Sequence, residues 1–326
     1  MAGLAQTTIN KVQQVYDRVS PRIPAEFTAR NVLIFCVIAL LCLGSIMVAS
    51  ASMPYADRMM ENPFHYVVRH AISIVVAAVA AFLAYRVSLN VWFNNTFPLW
   101  LITITLLAAV LVIGTEVNGS TRWIRIAGFT LQATEVAKVM MAIFTADYVV
   151  RRAAEVRNNV KGLVRLAAIM ILTVGLIIAE PDLGATVVIV LMMLGVFFLA
   201  GAPVIQFGIA LGAILIAFFF LIVFEPYRFE RLMSFSNPWN DPLGAGYQLS
   251  NALMAFGRGE WVGVGLGHSI QKMSYLPEAH TDFMLAVLGE EFGFLGITVV
   301  LMLSFGMLVC CIKIGHRALR NQYLRA

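Results

Sequence analysis

The sequence predicts a polytopic, all-α membrane protein, and three observations lead to this fold class. Of the 326 residues, 60% are hydrophobic and only 13% are charged, and the mean hydropathy is +0.83. Soluble domains are roughly half apolar. Apolar runs of about 20 residues, the length that crosses a hydrocarbon core, recur along the whole chain. The alternating segments of about ten residues that are typical of a membrane β-barrel are not found.

About eight apolar stretches are predicted to be transmembrane helices. Their approximate bounds are 31–52, 68–85, 97–114, 132–150, 166–178, 186–201, 206–224 and 281–312. The longest polar connection, 225–281, lies between the seventh and eighth helices, and 115–131 is predicted to be a loop. The domain organisation is therefore a polar N-terminal segment (1–30), a transmembrane domain (31–312) and a basic tail (313–326).

The charge distribution predicts the orientation in the membrane. A formal net charge of +5 would suggest nucleic acid in a soluble protein, but these basic residues cluster in short segments beside the spans, as topology signals do. The segments on the side of the N-terminus hold more Lys and Arg than those on the other side. The positive-inside rule then predicts that both termini are cytoplasmic and that 225–281 is extracytoplasmic.

Ionisable residues cluster where the long loop is predicted to enter the eighth span. They are Glu278, His280, Asp282, Glu290 and Glu291. Such groups are costly in a membrane and usually mark function. Thr281 is a candidate N-cap, which would place Asp282 in the first helical turn, where the helix dipole favours its ionised form and burial opposes it. Asp282 could accept a proton from a bound hydroxyl, or it could simply cap the helix.

The other members of this cluster carry open alternatives. His280 could relay protons or bind a phosphate, or it could be a structural hydrogen-bonding residue, and the same choice applies to Glu278. Helical periodicity would turn Glu290 about 80° and Glu291 about 180° away from Asp282. Glu290 is therefore the better candidate to share a cavity with Asp282.

A second set of charged residues lies at the start of the fourth span. Glu135 and Lys138 are three residues apart, on one helical face, and we expect them to pair because either alone would be costly in lipid. Such a pair is structural, or it also holds an anionic headgroup. Arg122 and Arg125 flank a tryptophan, a pattern that suits phosphate recognition or an ordinary interfacial anchor. The glycine-rich run 257–267 is only a weak phosphate-binding signal, because it lacks the Walker lysine pattern.

Several longer motifs resemble a known family. They are YLPEAHTDF (275–283), GEEFG (289–293), PYRFERLMSFSNPWNDPLGAGYQL (226–249), GRGEWVGVGLGHSIQK (257–272), NGSTRWIRIAGFTLQATEVAK (118–138) and EPDLGAT (180–186). Together they resemble the SEDS family of shape, elongation, division and sporulation proteins. The alanine of PEAHTD and the GYQL stretch look more like the division member than the elongation member.

The resemblance implies a peptidoglycan glycosyltransferase that polymerises lipid II into glycan strands at the outer face of the bacterial inner membrane. It also implies a class B penicillin-binding transpeptidase and other division proteins as partners, a septal location, and no nucleic acid. Asp282 occupies the position of the family's catalytic aspartate and would act as general base, with undecaprenyl pyrophosphate as leaving group. The implied substrate-binding residues are Arg122, Glu135, Lys138, Asp182, Arg258, Lys272, Glu278 and His280. A divalent cation, Mg or Mn, could assist, although the metal is undetermined.

Three departures from the family pattern accompany the resemblance. Gln-Ala-Thr-Glu (132–135) replaces the usual Gln-Pro-Ser-Glu, and Glu180 replaces the usual glutamine before Pro-Asp-Leu-Gly. The family usually has ten spans, with a Ser-Tyr-Gly-Gly-Ser motif near the end, so the eight predicted here suggest a C-terminally truncated chain. Two other functions stay open: a lipid II flippase, and a non-catalytic scaffold that docks a penicillin-binding partner.

Overall fold

The computed structural model describes residues 25–117, 120–126, 129–224 and 226–323. The chain divides into two compact units. Unit 1 comprises residues 1–78 and 230–326, and unit 2 comprises residues 79–229.

The helices follow one another along the chain with short connections. They are α1 (Ala25–Met60), α2 (His65–Arg86), α3 (Leu89–Asn94), α4 (Thr96–Ile113), α5 (Ala133–Arg151), α6 (Ala153–Asn158), α7 (Val160–Ala179), α8 (Leu183–Leu199), α9 (Val204–Val223), α10 (Pro226–Ser236), α11 (Tyr247–Gly259) and α12 (Met284–Tyr323). A 3-10 turn (Pro238–Asn240) precedes α11, and a π-helical turn (Gln271–Tyr275) follows it.

Each predicted span coincides with a helix. The matching helices are α1, α2, α4, α5, α7, α8, α9 and α12. Within the described residues, six of them (α1, α2, α4, α7, α9 and α12) are long and apolar enough to cross a membrane. Of the other two, α8 is apolar but has 17 residues, and α5 carries charged residues near both ends. The polytopic helical fold is confirmed, whereas the number of spans stays a prediction.

The segment 115–131, predicted to be a loop, connects two helices, and its described residues form a small antiparallel sheet. Its strands are β1 (Thr115–Val117), β2 (Ser120–Ile126) and β3 (Phe129–Gln132), in the order β1-β2-β3. In the register of β2 with β3, Trp123 lies opposite Gln132 and Arg125 opposite Thr130. β-Branched and aromatic residues, which favour strands, dominate β2, but the strands are too short to stand out from a polar loop by sequence pattern.

Unit 1 is built on close packing of α1 and α11 against α12. Its buried core is rich in small side chains, including Ala51, Ala252, Ala255 and Ala286. Small residues let membrane helices approach each other closely. The charged residues of this unit are therefore carried by closely packed helices.

Unit 2 has a core of larger side chains. In it α5 contacts both α4 and α8, and α7 packs against α8. The buried residues include Leu107, Met141, Phe144, Ile189 and Phe197. The sheet follows α4 directly and leads directly into α5, so it lies at one end of this helical bundle.

The helix α12 is broken at Gly293, where φ is +65° and ψ is −161°. The backbone groups on either side of the break bond to residues just after α11 instead of to each other. These bonds run from Val264 N to Glu290 O (2.9 Å), Gly265 N to Glu291 O (3.0 Å), Phe294 N to Glu260 O (2.9 Å) and Leu295 N to Trp261 O (3.1 Å). The glycine-rich run is thus docked into the break, with two of its N–H groups bonded to carbonyls of α12.

Candidate functional site

Asp282 lies in a turn immediately before α12, and its side chain is exposed. The prediction that Thr281 caps this helix is wrong, because α12 begins only at Met284. The Thr281 hydroxyl instead donates to the Glu278 carboxylate (2.7 Å). No hydrogen bond or ion pair to the Asp282 carboxylate is found within the part of the chain that the structure describes. This carboxylate is therefore open to a substrate.

A cavity of about 300 Å³ adjoins this turn in unit 1. Its walls come from α1 and from the segment 272–280. The charged or titratable side chains that line it are Arg58, Lys272, Glu278 and His280, together with Tyr55. The structure thus brings together three of the predicted substrate-binding residues, namely Lys272, Glu278 and His280.

The imidazole of His280 is held between two tyrosine rings. The ring of Tyr55 stacks on it at 5.1 Å between centroids, and that of Tyr66 lies at 5.0 Å. Within the described residues, the His280 imidazole makes ring contacts and no hydrogen bond, and it lines the cavity. The backbone of Glu278 has a φ of +54°, which turns the chain sharply just before His280.

Beneath the cavity lies a buried ion pair. The Lys272 Nζ donates to Glu291 Oε1 (2.6 Å) and to Ser50 Oγ (2.9 Å). The Ser50 hydroxyl in turn donates to Glu291 at 2.7 Å. Lys272 is 5% exposed and Glu291 is 1% exposed. This triad ties α1, the π-helical turn and α12 together, so its positive charge is compensated within the protein.

The carboxylate of Glu290 is surrounded by donors. Arg258 Nη1 donates to it at 2.7 Å, Ser269 Oγ at 2.5 Å, and the backbone N–H of Ile270 at 3.0 Å. Glu290 is fully buried. The expectation that Glu290 faces a cavity with Asp282 is wrong, because the helix starts after Asp282 and the periodicity argument does not apply across the turn.

In unit 2, Arg122 and Asp182 meet at the turn between α7 and α8. The Arg122 guanidinium donates to the backbone carbonyls of Glu180 (3.2 Å) and Pro181. Asp182 caps α8, since its carboxylate accepts from the N–H of Ala185 (3.0 Å), and it also accepts from the Gln132 amide (3.0 Å). Asp182 is 6% exposed. These bonds fasten the sheet and the start of α5 to the turn.

The carboxyl group of Glu180 lies in the same turn and is fully buried. Neither of its oxygens has a hydrogen-bond partner among the described residues. Burial and, to a smaller extent, the negative charge of Asp182 raise the pKa of Glu180 to about 7, against the opposing effect of the Arg122 guanidinium. The pKa of this buried carboxyl is thus well above that of an ordinary surface glutamate.

The predicted pair on α5 is confirmed. Lys138 Nζ lies 2.7 Å from Glu135 Oε1. The side chain of Lys138 is 28% exposed and that of Glu135 is 60% exposed. Because the pair is only partly buried, the ammonium group can contact an anion without leaving its partner.

A metal site is not evident in the described part of the chain. No group of three or more His, Cys, Asp and Glu residues there could hold an ion.

Sequence reasoning missed the side chains that complete the site in unit 1. These are Ser50, Tyr55 and Arg58 on α1, Tyr66 on α2, and Ser269 before the π-helical turn. The spacing of Tyr55 and Arg58, three residues apart near the end of an apolar span, was the one available signal. Their contacts with residues more than 200 positions later depend on the tertiary fold.

Comparison with known proteins identifies the family. A model for the FtsW, RodA and SpoVE proteins, described as cell cycle proteins, matches residues 30–325. The chain belongs to this FtsW/RodA/SpoVE family. The resemblance to the SEDS proteins is thereby confirmed.

Individual relatives agree with this family. The probable peptidoglycan glycosyltransferase FtsW of Acinetobacter baylyi is 76% identical over 326 residues, which cover 100% of this chain and 82% of that protein. The protein of the same description from Shewanella sediminis is 45% identical over 284 residues, covering 87% of this chain and 69% of its own. The similarity to the division member of the family is thus confirmed as well.

Solved structures share the fold. One is a chain of a solved peptidoglycan synthase complex, described as showing structural coordination of polymerization and crosslinking. Its TM-score is 0.64 and its identity 26%, and the match covers 85% of this chain and 75% of that one. The crystal structure of the rod shape determining protein RodA of Thermus thermophilus has a TM-score of 0.58 and 24% identity, covering 85% and 72%. These FtsW/RodA/SpoVE neighbours support the polytopic helical fold.

Proposed function

We propose that this chain is a peptidoglycan glycosyltransferase that polymerises lipid II into glycan strands during septal wall synthesis. The relatives described as probable peptidoglycan glycosyltransferases FtsW support this activity, with 76% identity over the whole chain in one case. The observation that carries the proposal in the structure is Asp282, an exposed carboxylate in a turn beside a cavity lined by charged side chains.

In the proposed reaction, Asp282 is the general base. Its carboxylate takes the proton from the 4-hydroxyl of the acceptor sugar as the hydroxyl oxygen attacks the anomeric carbon of a lipid-linked glycan. The bond from that carbon to the pyrophosphate oxygen breaks, and undecaprenyl pyrophosphate leaves with the electron pair. A positioned base of this kind contributes typically 10²–10⁴-fold to the rate, to order of magnitude.

The buried network of Lys272, Ser50 and Glu291 anchors the π-helical turn that precedes the turn carrying Asp282. Because Lys272 and Glu291 compensate each other, we assign Lys272 mainly to positioning the cavity wall, with Glu278 and His280 nearer to substrate. Arg122, Lys138 and Arg258 are the proposed sources of positive charge for the pyrophosphate, since charge develops there as the bond breaks. Lys138 is the strongest of the three, because its ammonium group is partly exposed and bonded only to Glu135 among the described residues.

The orientation and partners belong to the same proposal. We place residues 1–30 and 313–326 in the cytoplasm and residues 225–281 outside, as the positive-inside rule predicts. This orientation puts Asp282 on the side where lipid-linked sugars are polymerised. A transpeptidase partner is supported by the similarity to a chain of a complex that coordinates polymerization and crosslinking.

The deciding experiment is polymerisation of purified lipid II by the protein reconstituted with its transpeptidase partner. We expect Asp282→Asn to reduce glycan formation at least about a hundredfold, as loss of a general base does. Asp57→Asn is the matched control, because Asp57 is an exposed carboxylate of the same unit that does not line the cavity. It should polymerise at the normal rate.

Three outcomes would count against the proposal. If Asp282→Asn still polymerises lipid II normally, the general-base assignment fails. If the protein moves lipid II across vesicle membranes without forming glycan, the flippase alternative is correct. Partner binding that survives Asp282→Asn, with neither polymerisation nor transport in the unmodified protein, would identify a scaffold.

A further inference from the structure

A second cavity lies in unit 2, at the end of the bundle away from the sheet. Its volume is about 430 Å³, and it opens between the start of α4, the end of α5 and the first turns of α7. Arg151 on its rim is sixteen residues along α5 from Glu135, which corresponds to about 24 Å of helix. This cavity is therefore separate from the residues assigned to the polymerisation reaction.

The floor of the cavity is apolar and aromatic. It includes Phe97, Phe144 and Ile169. The ring of Trp100 lies 5.7 Å from that of Phe97 and 6.0 Å from that of Phe144, so the aromatic side chains form a continuous ladder. Phe97 is 62% exposed, and in a bilayer such a ring would contact acyl chains.

The rim of the cavity carries three guanidinium groups. Arg151, Arg152 and Arg165 all line it, and their side chains are 56%, 44% and 51% exposed. The acidic groups that face them are Asp147, 2.7 Å from Arg151 Nε, and Glu155, 2.6 Å from Arg165 Nη1 and 3.3 Å from Arg152 Nη1. Three positive charges thus face two negative ones.

The donors on the rim are not all used by these ion pairs. Each guanidinium carries five N–H donors in a planar fork that matches phosphate oxygens. The hydrogen bonds of the Arg152 guanidinium among the described residues go only to Glu155, at the long distance of 3.3 Å. Its guanidinium also lies 5.8 Å from the ring centroid of Tyr148, which holds it over the cavity. This rim can therefore accept a phosphate without losing a strong bond.

We propose that this cavity binds an anionic phospholipid, with the phosphodiester on the arginine rim and an acyl chain along the aromatic floor. A phospholipid is favoured over a soluble anion because the floor is apolar and continues to the exposed ring of Phe97. The positive-inside rule predicts that this end of the bundle is cytoplasmic, and basic pockets between transmembrane helices on that side bind anionic headgroups. The site would be occupied whether or not the protein is polymerising glycan.

The role of basic residues in membrane topology does not by itself explain why three arginines line one cavity. A topology signal requires basic residues near the spans, but it requires no cavity. Arg157 and Lys161 lie in the same basic segment yet do not line the cavity, and Arg157 donates to the backbone carbonyl of Ala200 (3.1 Å). Lys161 is exposed at the start of α7. Lys161 therefore serves as a control for a basic residue of the same segment that lies outside the cavity.

The test measures lipid binding by native mass spectrometry and by the rise in thermal stability of the purified protein. Phosphatidylglycerol is titrated against phosphatidylcholine at equal detergent concentration. We expect Arg152→Gln to weaken phosphatidylglycerol binding by about fivefold, as loss of one basic residue near an anionic lipid does. Lys161→Gln removes the same charge outside the cavity and should leave binding unchanged.

A second variant tests the cavity without changing charge. Ala168→Phe places a ring in the lining, and we expect it to weaken phosphatidylglycerol binding as much as Arg152→Gln does. Equal loss in Lys161→Gln would show that diffuse basic charge binds the lipid and would overturn the proposal. Normal binding in Ala168→Phe, equal binding of phosphatidylcholine, or the same stabilisation by inorganic phosphate would also overturn it.

Discussion

The two units of the protein treat buried acids in opposite ways. In unit 1, Glu290 and Glu291 are fully buried, and each is bonded to a cation and a hydroxyl group. In unit 2, Glu180 is equally buried, but its carboxyl oxygens have no partner among the described residues. The first arrangement pairs each carboxylate with a cation and a hydroxyl group, whereas the second leaves a carboxyl whose pKa is raised to about 7.

This difference between the buried acids follows from which acceptors the neighbouring cationic side chains bond to. Lys272 and Arg258 direct their charge at carboxylates, which offsets the cost of burying them. Arg122 lies close to Glu180 but donates to the backbone carbonyls of the turn. Desolvation of Glu180 is therefore only partly compensated, and protonation relieves it. Unit 1 is thus a rigid frame for the Asp282 turn, and unit 2 contains a titratable turn.

The largest effect is expected from breaking the buried pair in unit 1. Lys272→Ala leaves Glu291 buried without its cation, which should lower the free energy of unfolding by about 3–5 kcal/mol. Removing both charges, as Lys272→Met with Glu291→Gln, should recover most of this loss because no uncompensated charge remains. The measurement is a double-mutant cycle by thermal unfolding in detergent. Additive losses in the double variant would show that the two residues are not coupled.

A smaller effect is expected where the glycine run docks into the break of α12. Gly263 has a φ of +80°, and a Cβ there would overlap the backbone carbonyl of Glu291. Gly263→Ala should therefore destabilise unit 1 by about 3 kcal/mol, through backbone strain and this overlap. Gly267, with a φ of +85° and open space around its Cβ position, is the control. Gly267→Ala should cost only about 1–2 kcal/mol of strain, and equal losses would mean that docking is unimportant.

The third effect is expected for Glu180, and it depends on pH. The pKa of this carboxyl is raised from 4.5 to about 7 in the folded protein, so between these pH values the folded chain holds a proton that the unfolded chain has lost. The free energy of unfolding therefore falls as pH rises through this window and stays lower above it. Glu180→Gln should remove this loss and stabilise the protein by about 3 kcal/mol at pH 8.

At pH 4.5 and below, Glu180→Gln should have little effect, because both states then carry a neutral side chain. The matched control is Glu230→Gln, which removes an exposed carboxylate and should show no such pH dependence. Thermal unfolding of both variants across pH 4.5–8.5 measures the difference. A stability change in Glu180→Gln that is the same at every pH would show that the carboxyl ionises normally.

The sequence predicted the parts of the site that depend on local spacing. Glu135 and Lys138 pair as expected because residues three apart share a helical face whatever surrounds the helix. The position of Thr281 misled the prediction, since a good capping residue does not start a helix when a competing acceptor, here Glu278, lies three residues before it. The network of Glu290 could not be predicted, because its donors come from residues 19 to 32 positions away.

The sequence by itself determined the membrane fold, the family and the motif that contains Asp282. Hydropathy and the order of motifs depend only on the linear order of residues. Only the tertiary structure decided which charges are compensated. A carboxylate in an apolar protein is ionised or neutral according to the donors within about 3 Å, and those donors lie far away in the sequence. That is why Glu290 and Glu291 became structural supports and Glu180 became the titratable acid. Asp282, exposed in its turn, is left as the candidate base.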